Sequence, residues 1–141
     1  DPHMAYSAGL LHDLGKLAIP ERILLKPAQL SAEEFALVKR HPAKSGEILS
    51  SVPGLEACVE VVRHHHERFD GGGYPHGATG EAIPLLARIV SVCDAWDAMT
   101  TKRPYRSAMP SRHAAQIIRA HAGTQFDPDV ACAFLAQQEG L

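Results

Sequence analysis

The chain has 141 residues, 45% apolar and 21% charged, which is the size of one domain with material for one core and argues against gross disorder. A net charge of −2 excludes a bulk electrostatic grip on a DNA or RNA polymer and leaves only a local basic pocket. No apolar run reaches membrane-spanning length, and three cysteines at 58, 93 and 132, outside any CxxC spacing, argue against a disulfide framework or a structural zinc site and fit a reducing cytosol.

Asp1-Pro2-His3-Met4 reads as an expression scar, so the domain is taken as residues 5–141. Helical spacing then dominates. Ala8 to Leu17 reads as one helix carrying His12, Asp13 and Lys16 on a shared face, ended by Ile19-Pro20. Ser31 and Glu34 form a capping box for a helix running to about Arg40. Pro42 disfavours helical geometry at His41 and so places it at a helix junction, where a side chain can be aimed into a cleft. A short helix to Ser51 and a Pro53-Gly54 turn follow.

Leu55, Val59, Val62 and His66 fall on one inward stripe of the next helix, with His65 one step round. Asp70 to Gly80 is a loop with glycines at 71, 72, 73, 77 and 80. From Pro84 to about Thr101 the chain is apolar almost all round, which predicts a central, buried helix. Asp94 in its middle needs a partner such as a cation, because an unpaired carboxylate there would cost several kcal/mol. Ser111 is placed as the cap of a helix ending near Gly123, and Asp127-Pro128 as the start of the last helix. The whole reads as one all-α bundle.

Nine histidines is a high count, and those at 12, 41, 64, 65 and 66 sit beside carboxylates or glycine-rich loops rather than scattered. On a helix, neighbouring residues point about 100° apart, so adjacent ligands diverge and suit two metal ions better than one. Paired metals about 3.5–4 Å apart are a known device for displacement at phosphorus. The proposed ligand set is His12, Asp13, His41, His65, His66 and Asp94, with Asp13 as the bridging carboxylate and a hydroxide between the metals as nucleophile. Imidazole and carboxylate without thiolate suit iron, manganese or zinc. Each residue also has a plain alternative. His41 alone is a helix-end residue, Asp13 a partner for Lys16, and Asp94 a partner for Arg103. Asp97 reads as a supporting residue near the metals or as a surface or capping carboxylate. Lys16 either contacts phosphate or is a solvated helix lysine, and Lys102-Arg103-Pro104-Tyr105-Arg106 either contacts phosphate or is a charged helix end, with spacing alone leaving the 102–106 readings about even.

His12-Asp13-Leu14-Gly15-Lys16, His65-His66-Glu67-Arg68-Phe69-Asp70-Gly71-Gly72-Gly73-Tyr74-Pro75, Asp94-Ala95-Trp96-Asp97-Ala98-Met99-Thr100 and Arg103-Pro104-Tyr105-Arg106 closely resemble the HD-GYP domain, a branch of the HD metal-dependent phosphohydrolases. Ile23-Leu24-Leu25-Lys26-Pro27 and Phe126-Asp127-Pro128 are similar too, so the likeness runs from about Ala8 to Phe134. The resemblance implies a single HD-type bundle of about six or seven helices. It implies two or three divalent metals, iron or manganese ahead of zinc, and cytoplasmic hydrolysis of cyclic di-GMP to pGpG or GMP. Residue by residue it carries His12, Asp13, His41, His65, His66 and Asp94 over as metal ligands. Asp13 and Lys16 become the catalytic pair, and Lys16, Arg103 and Arg106 the phosphate contacts. Tyr74 becomes a loop-shaping or partner-contact residue. The implied partners are cyclic di-GMP, a diguanylate cyclase domain and a second copy of the chain. One departure matters: the family's upstream helix adds a glutamate and a histidine to the cluster, and nothing before His12 matches them. A truncated domain with a reduced metal complement is the expectation, with a catalytically impaired binding or docking module, or an HD nucleotidase, as the alternatives.

Overall fold

The computed structural model describes residues 2–102 and 107–138. The described residues form helices and turns with no strand; a single isolated bridge joins Ala122 and Phe126. In chain order the helices are α1 (Pro2–Leu11), α2 (Glu21–Leu24), α3 (Ala32–Val38), α4 (His41–Ser50), α5 (Glu56–His64), α6 (Leu85–Thr100), α7 (Ser111–Ala120) and α8 (Pro128–Gln138), with 3₁₀ turns at Leu14–Ala18 and Gly80–Ala82. The all-α expectation holds.

Two cores meet on α6. Ala8 of α1, Leu49 of α4, Val61 and Val62 of α5, and Ala87 and Val90 of α6 close the first; Val92, Ile118, Phe126, Ala131 and Leu135 close the second around α7 and α8. Burying each fully enclosed aliphatic side chain contributes about 1.5–3 kcal/mol. At the far end, Asp127 caps α8 as expected. Its Oδ1 accepts from the N–H groups of Asp129 and Val130, and its Oδ2 accepts from Arg88 of α6, tying that helix end to the core.

Several boundaries depart from the sequence reading, each for a local reason. The first helix stops at Leu11 instead of running to Leu17. In a continuing helix Gly9 O would accept from Asp13 N, but it meets the His12 ring nitrogen at 2.6 Å instead. The next turn is 3₁₀, with Lys16 N donating to Asp13 O at 2.9 Å. His41 lies inside α4 as its first residue, and Pro42 sits in that first turn, where a missing N–H costs nothing. Ser111 is the first residue of α7, and Pro110 occupies the cap position.

The α5 register also differs. Val59 and Val62 are buried as read, but the helix ends at His64, Cys58 and Val61 are buried beside them, and His65 rather than His66 is the enclosed residue at its end. Finally, α6 is not buried all round. Ala87, Val90 and Val92 are enclosed, while Leu85 is 54% exposed and Cys93 is exposed as well. The Ser31–Glu34 capping box forms as read, with Glu34 N donating to Ser31 Oγ and Ser31 N to Glu34 Oε2.

Candidate metal centre

Four chain segments converge at one end of the first core: the 3₁₀ turn after α1, the start of α4, the end of α5 and the middle of α6. Gly15 permits the first approach. A Cβ there would lie 2.1 Å from His41 O and 2.6 Å from Ser45 N, so only glycine lets the 12–16 segment rest on α4. Ser45, fully buried, stitches the two together by accepting from Gly15 N at 2.8 Å and donating to His12 O at 2.8 Å.

The result places the side chains of Asp13, His41, His65 and His66 with one donor atom each, all within 4.8 Å of one another. Asp13 Oδ1 is 3.2 Å from His41 Nε2 and 4.0 Å from His65 Nε2. Asp13 Oδ2 faces the other way. It lies 3.5 Å from His12 Nε2 and 2.5 Å from Lys16 Nζ, and His12 Nε2 is in turn 3.7 Å from Asp94 Oδ1. The six expected ligands are therefore brought together, with the two oxygens of Asp13 dividing them into two sets. His65 and His66 do not diverge as neighbours on a helix would. The helix has ended, and their rings lie 4.1 Å apart, turned to the same side.

The donor chemistry fits cations. His12, His41 and His65 each hold Nδ1 against a backbone carbonyl, those of Gly9, Val38 and Val62, at 2.6, 2.7 and 2.7 Å. A carbonyl only accepts, so each Nδ1 carries a proton, which makes Nε2 the nitrogen that can offer a lone pair. His41 Nε2 and His65 Nε2 then face each other at 3.3 Å, an arrangement that needs a positive charge nearby. His12 Nε2 and Asp13 Oδ1 are buried without a hydrogen-bond partner among the described residues, as vacant ligand atoms would be.

Protonation follows the same pattern. Burial, then the neighbouring charge of His66, brings the His65 pKa down to about 3. Burial and the charge of His41 bring His66 down to about 4, so both rings are neutral, ligand-ready imidazoles near neutral pH. Burial alone would raise the Asp13 carboxyl, but polar contact with His41 and Lys16 holds it well below the usual carboxylate range. Burial disfavours charge on His12, yet contact with Asp94 raises its pKa overall, and the same contact lowers that of Asp94.

Asp97 lines the cleft beside His12 and Asp94 and accepts from the Thr101 hydroxyl at 2.9 Å. His64 turns away from the cluster, its ring bonded to Glu60 O at 2.8 Å and lying 5.2 Å from the ring of His76. Arg103 and Arg106, and with them the expected phosphate forks, lie outside the described residues. The sequence reading did not single out Gly15, Ser45 or Glu67. A glycine between the His-Asp pair and a lysine was the visible sign for Gly15, whereas a buried serine leaves no pattern in a sequence.

A family model described as "HD domain" matches residues 3–130. The chain belongs to the HD domain family. It is 48% identical over 131 residues to a cyclic di-GMP phosphodiesterase of Pseudomonas aeruginosa, covering 91% of this chain and 31% of that protein. It is 46% identical over 123 residues to the cyclic di-GMP phosphodiesterase response regulator RpfG of Xanthomonas campestris, covering 86% and 32%. The chain thus spans about a third of the length of these curated relatives. Among solved structures, that of a cyclic GMP-AMP specific phosphodiesterase of Vibrio cholerae superposes with a TM-score of 0.72 over 97% of this chain and 38% of its own, at 20% identity. That likeness supports an HD-type helical fold. No helix of the described residues is long and apolar enough to cross a membrane.

Proposed function

We propose that this chain is the catalytic domain, residues 5–141, of a metal-dependent phosphodiesterase that hydrolyses cyclic di-GMP to linear pGpG and onward to GMP. The observation that carries the reading is the division of labour at Asp13: Oδ1 faces His41 and His65, and Oδ2 faces His12 on the side of Asp94. That is the donor layout of a bridging carboxylate between two cations. The relatives' printed activity, cyclic di-GMP phosphodiesterase, supports the substrate. When bound, paired divalent cations supply Lewis acidity and a water of lowered pKa for in-line displacement at phosphorus.

The chain's own groups do the rest. His41, His65 and His66 would offer ring nitrogens to one cation, and His12 and Asp94 would serve the other. Lys16 stands at the lip with its side chain 40% exposed, tied to Asp13 Oδ2, from which it can turn to meet a phosphoryl oxygen as a point charge. Arg103 and Arg106 are proposed as the forks that, with Lys16, fix the diester. Imidazole and carboxylate without thiolate suit iron, manganese or zinc, and the resemblance to HD-GYP domains favours iron or manganese among them. The three free cysteines agree with a cytoplasmic setting, and the Gly73-Tyr74-Pro75 loop is the proposed docking face for a diguanylate cyclase domain, with a homodimer as the oligomeric form.

The test is to load the purified protein with Fe(II) or Mn(II), count metal per chain, and incubate it with cyclic di-GMP, a mixed cyclic GMP-AMP dinucleotide and a panel of phosphate monoesters. Linear product from cyclic di-GMP at two metals per chain is expected. Preference for monoesters would make the chain an HD nucleotidase. Tight binding at one metal or none, without product, would make it a sensor or docking module, and either result overturns the proposal.

A further inference from the structure

Three of the clustered histidines are oriented in one way and the fourth in another. His12, His41 and His65 are each locked by a carbonyl at Nδ1. The ring of His66 has no hydrogen-bond partner among the described residues. Its ring is bounded by other rings instead: His65 at 4.1 Å, His41 at 4.9 Å and Tyr74 at 5.0 Å, the last inclined by only 31°. The Tyr74 ring thus leans along one side of the imidazole. On it, Phe35 packs edge-on at 6.4 Å and 80°, and Lys39 Nζ sits 5.4 Å from the ring centre.

Tyr74 is itself held with unusual firmness for a glycine-rich loop. Its N–H donates to His66 O at 3.2 Å. Glu67, a carboxylate only 3% exposed, accepts from His76 N at 2.7 Å with one oxygen and from Ala78 N at 3.1 Å with the other. Two backbone donors keep a buried carboxylate satisfied and fix the loop just after Tyr74. Gly73 closes the turn before it: a Cβ there would lie 2.3 Å from Arg68 N and 2.5 Å from Glu67 Cα.

We infer that Tyr74 is a positioning residue for His66: its ring replaces the missing carbonyl lock, and Glu67 positions that ring. The inference rests on the metal-centre reading, in which His66 is a ligand. It deepens that reading by giving the tyrosine and the buried glutamate separate tasks. Ligand-orienting partners of this kind typically set metal affinity by 10–100-fold, on the order of their effect elsewhere. The ring acts by its shape and not by its hydroxyl, so phenylalanine suffices.

The experiment measures Co(II) and Mn(II) affinity by chelator competition, together with the visible spectrum of the Co(II) protein, for Tyr74→Leu, Tyr74→Phe, Glu67→Gln and His66→Ala. Tyr74→Leu should weaken binding by about 10-fold or more and shift the spectrum, while Tyr74→Phe keeps both near wild type. Glu67→Gln, which turns an amide donor toward a backbone N–H, should move both in the Tyr74→Leu direction with the aromatic ring intact. If Tyr74→Leu does not fold, Glu67→Gln decides alone. Wild-type affinity and spectrum in Tyr74→Leu or Glu67→Gln, alongside metal loss in His66→Ala, overturns the inference and leaves the metal centre standing. Unchanged metal binding in His66→Ala overturns the ligand role of His66, and the inference with it.

Discussion

Replacing Gly15 by alanine should dismantle the cluster without touching any of its donors. The added methyl would sit 2.1 Å from His41 O and 2.6 Å from Ser45 N, both backbone atoms of α4 that no side-chain rotation can clear. Reaching ordinary van der Waals distance requires the 3₁₀ turn and α4 to separate by about 1 Å or more. The same movement is imposed on the 3.2 Å gap between His41 Nε2 and Asp13 Oδ1, because each residue lies on one side of the contact. Metal–donor distances tolerate only about 0.2 Å, so the displacement is several times what a shared ion accepts. Overpacking of this kind costs about 1–3 kcal/mol, or roughly 3–12 °C in melting temperature for a domain of this size. Melting with chelator present isolates the packing term from the contribution of bound metal. Metal per chain after loading then reads the geometry. Gly15→Ala with an unchanged chelated melting temperature and a full metal complement would refute the reasoning.

Three further outcomes follow from the same contacts. Ser45→Ala strands the buried Gly15 N–H and His12 carbonyl at about 1–3 kcal/mol each, and urea unfolding of the chelated protein should show a loss of at least 2 kcal/mol; a loss under about 1 kcal/mol would mean that water replaces the hydroxyl. Asp13→Asn should leave helical circular dichroism unchanged while metal per chain falls to at most one, since the amide cannot serve both donor sets; two metals retained would remove the bridging role. Asp127→Ala leaves Arg88 buried and uncompensated, at a cost of about 3–5 kcal/mol. Burial works against the Asp127 charge, but Arg88 and the two capping N–H groups lower its pKa overall. A depressed native pKa contributes stability that is full above the ordinary carboxylate range and is lost as pH falls through the native value. The wild-type advantage over Asp127→Ala should therefore be flat near neutral pH and shrink in acid, and a gap that widens on acidification would reverse the assigned sign.

What the sequence disclosed and what it withheld separate along physical lines. Local chemistry was legible. The Ser31–Glu34 box, the Asp127-Pro128 helix start and the helical class all follow from short-range spacing. So were the side chains that the fold gathers, since His12-Asp13, His65-His66 and Asp94 announce themselves by residue type. Lys16 is paired with Asp13, which was the plain alternative for Asp13. Register was not legible wherever a tertiary bond overrides the helix ladder. The break at His12 depends on its ring meeting Gly9 O and on Ser45 reaching His12 O from 33 positions away, which no local pattern encodes. The end of α5 at His64 moved His65 into the buried place that periodicity gave to His66. The apolar look of α6 misled because an exposed Leu85 and a buried Val90 are alike in composition.

The three locked histidines share a construction principle that explains why such a site forms at helix ends. The last four carbonyls of a helix have no partner along the chain. Gly9 near the end of α1, Val38 at the end of α3 and Val62 near the end of α5 are such carbonyls, and each is taken by the imidazole three residues on, at 12, 41 and 65. One bond thus does two things. It satisfies an orphan acceptor that would otherwise be costly to bury, and it fixes the tautomer that leaves Nε2 bare and pointing inward. Bringing three helix termini to one place therefore yields three pre-oriented lone pairs. Asp94, in mid-helix with no carbonyl to spare, is the exception, and it gains its polar contact from Nε2 of His12. His66 is the other exception, beyond the last turn of α5, and a ring from a clamped loop stands where the carbonyl would be.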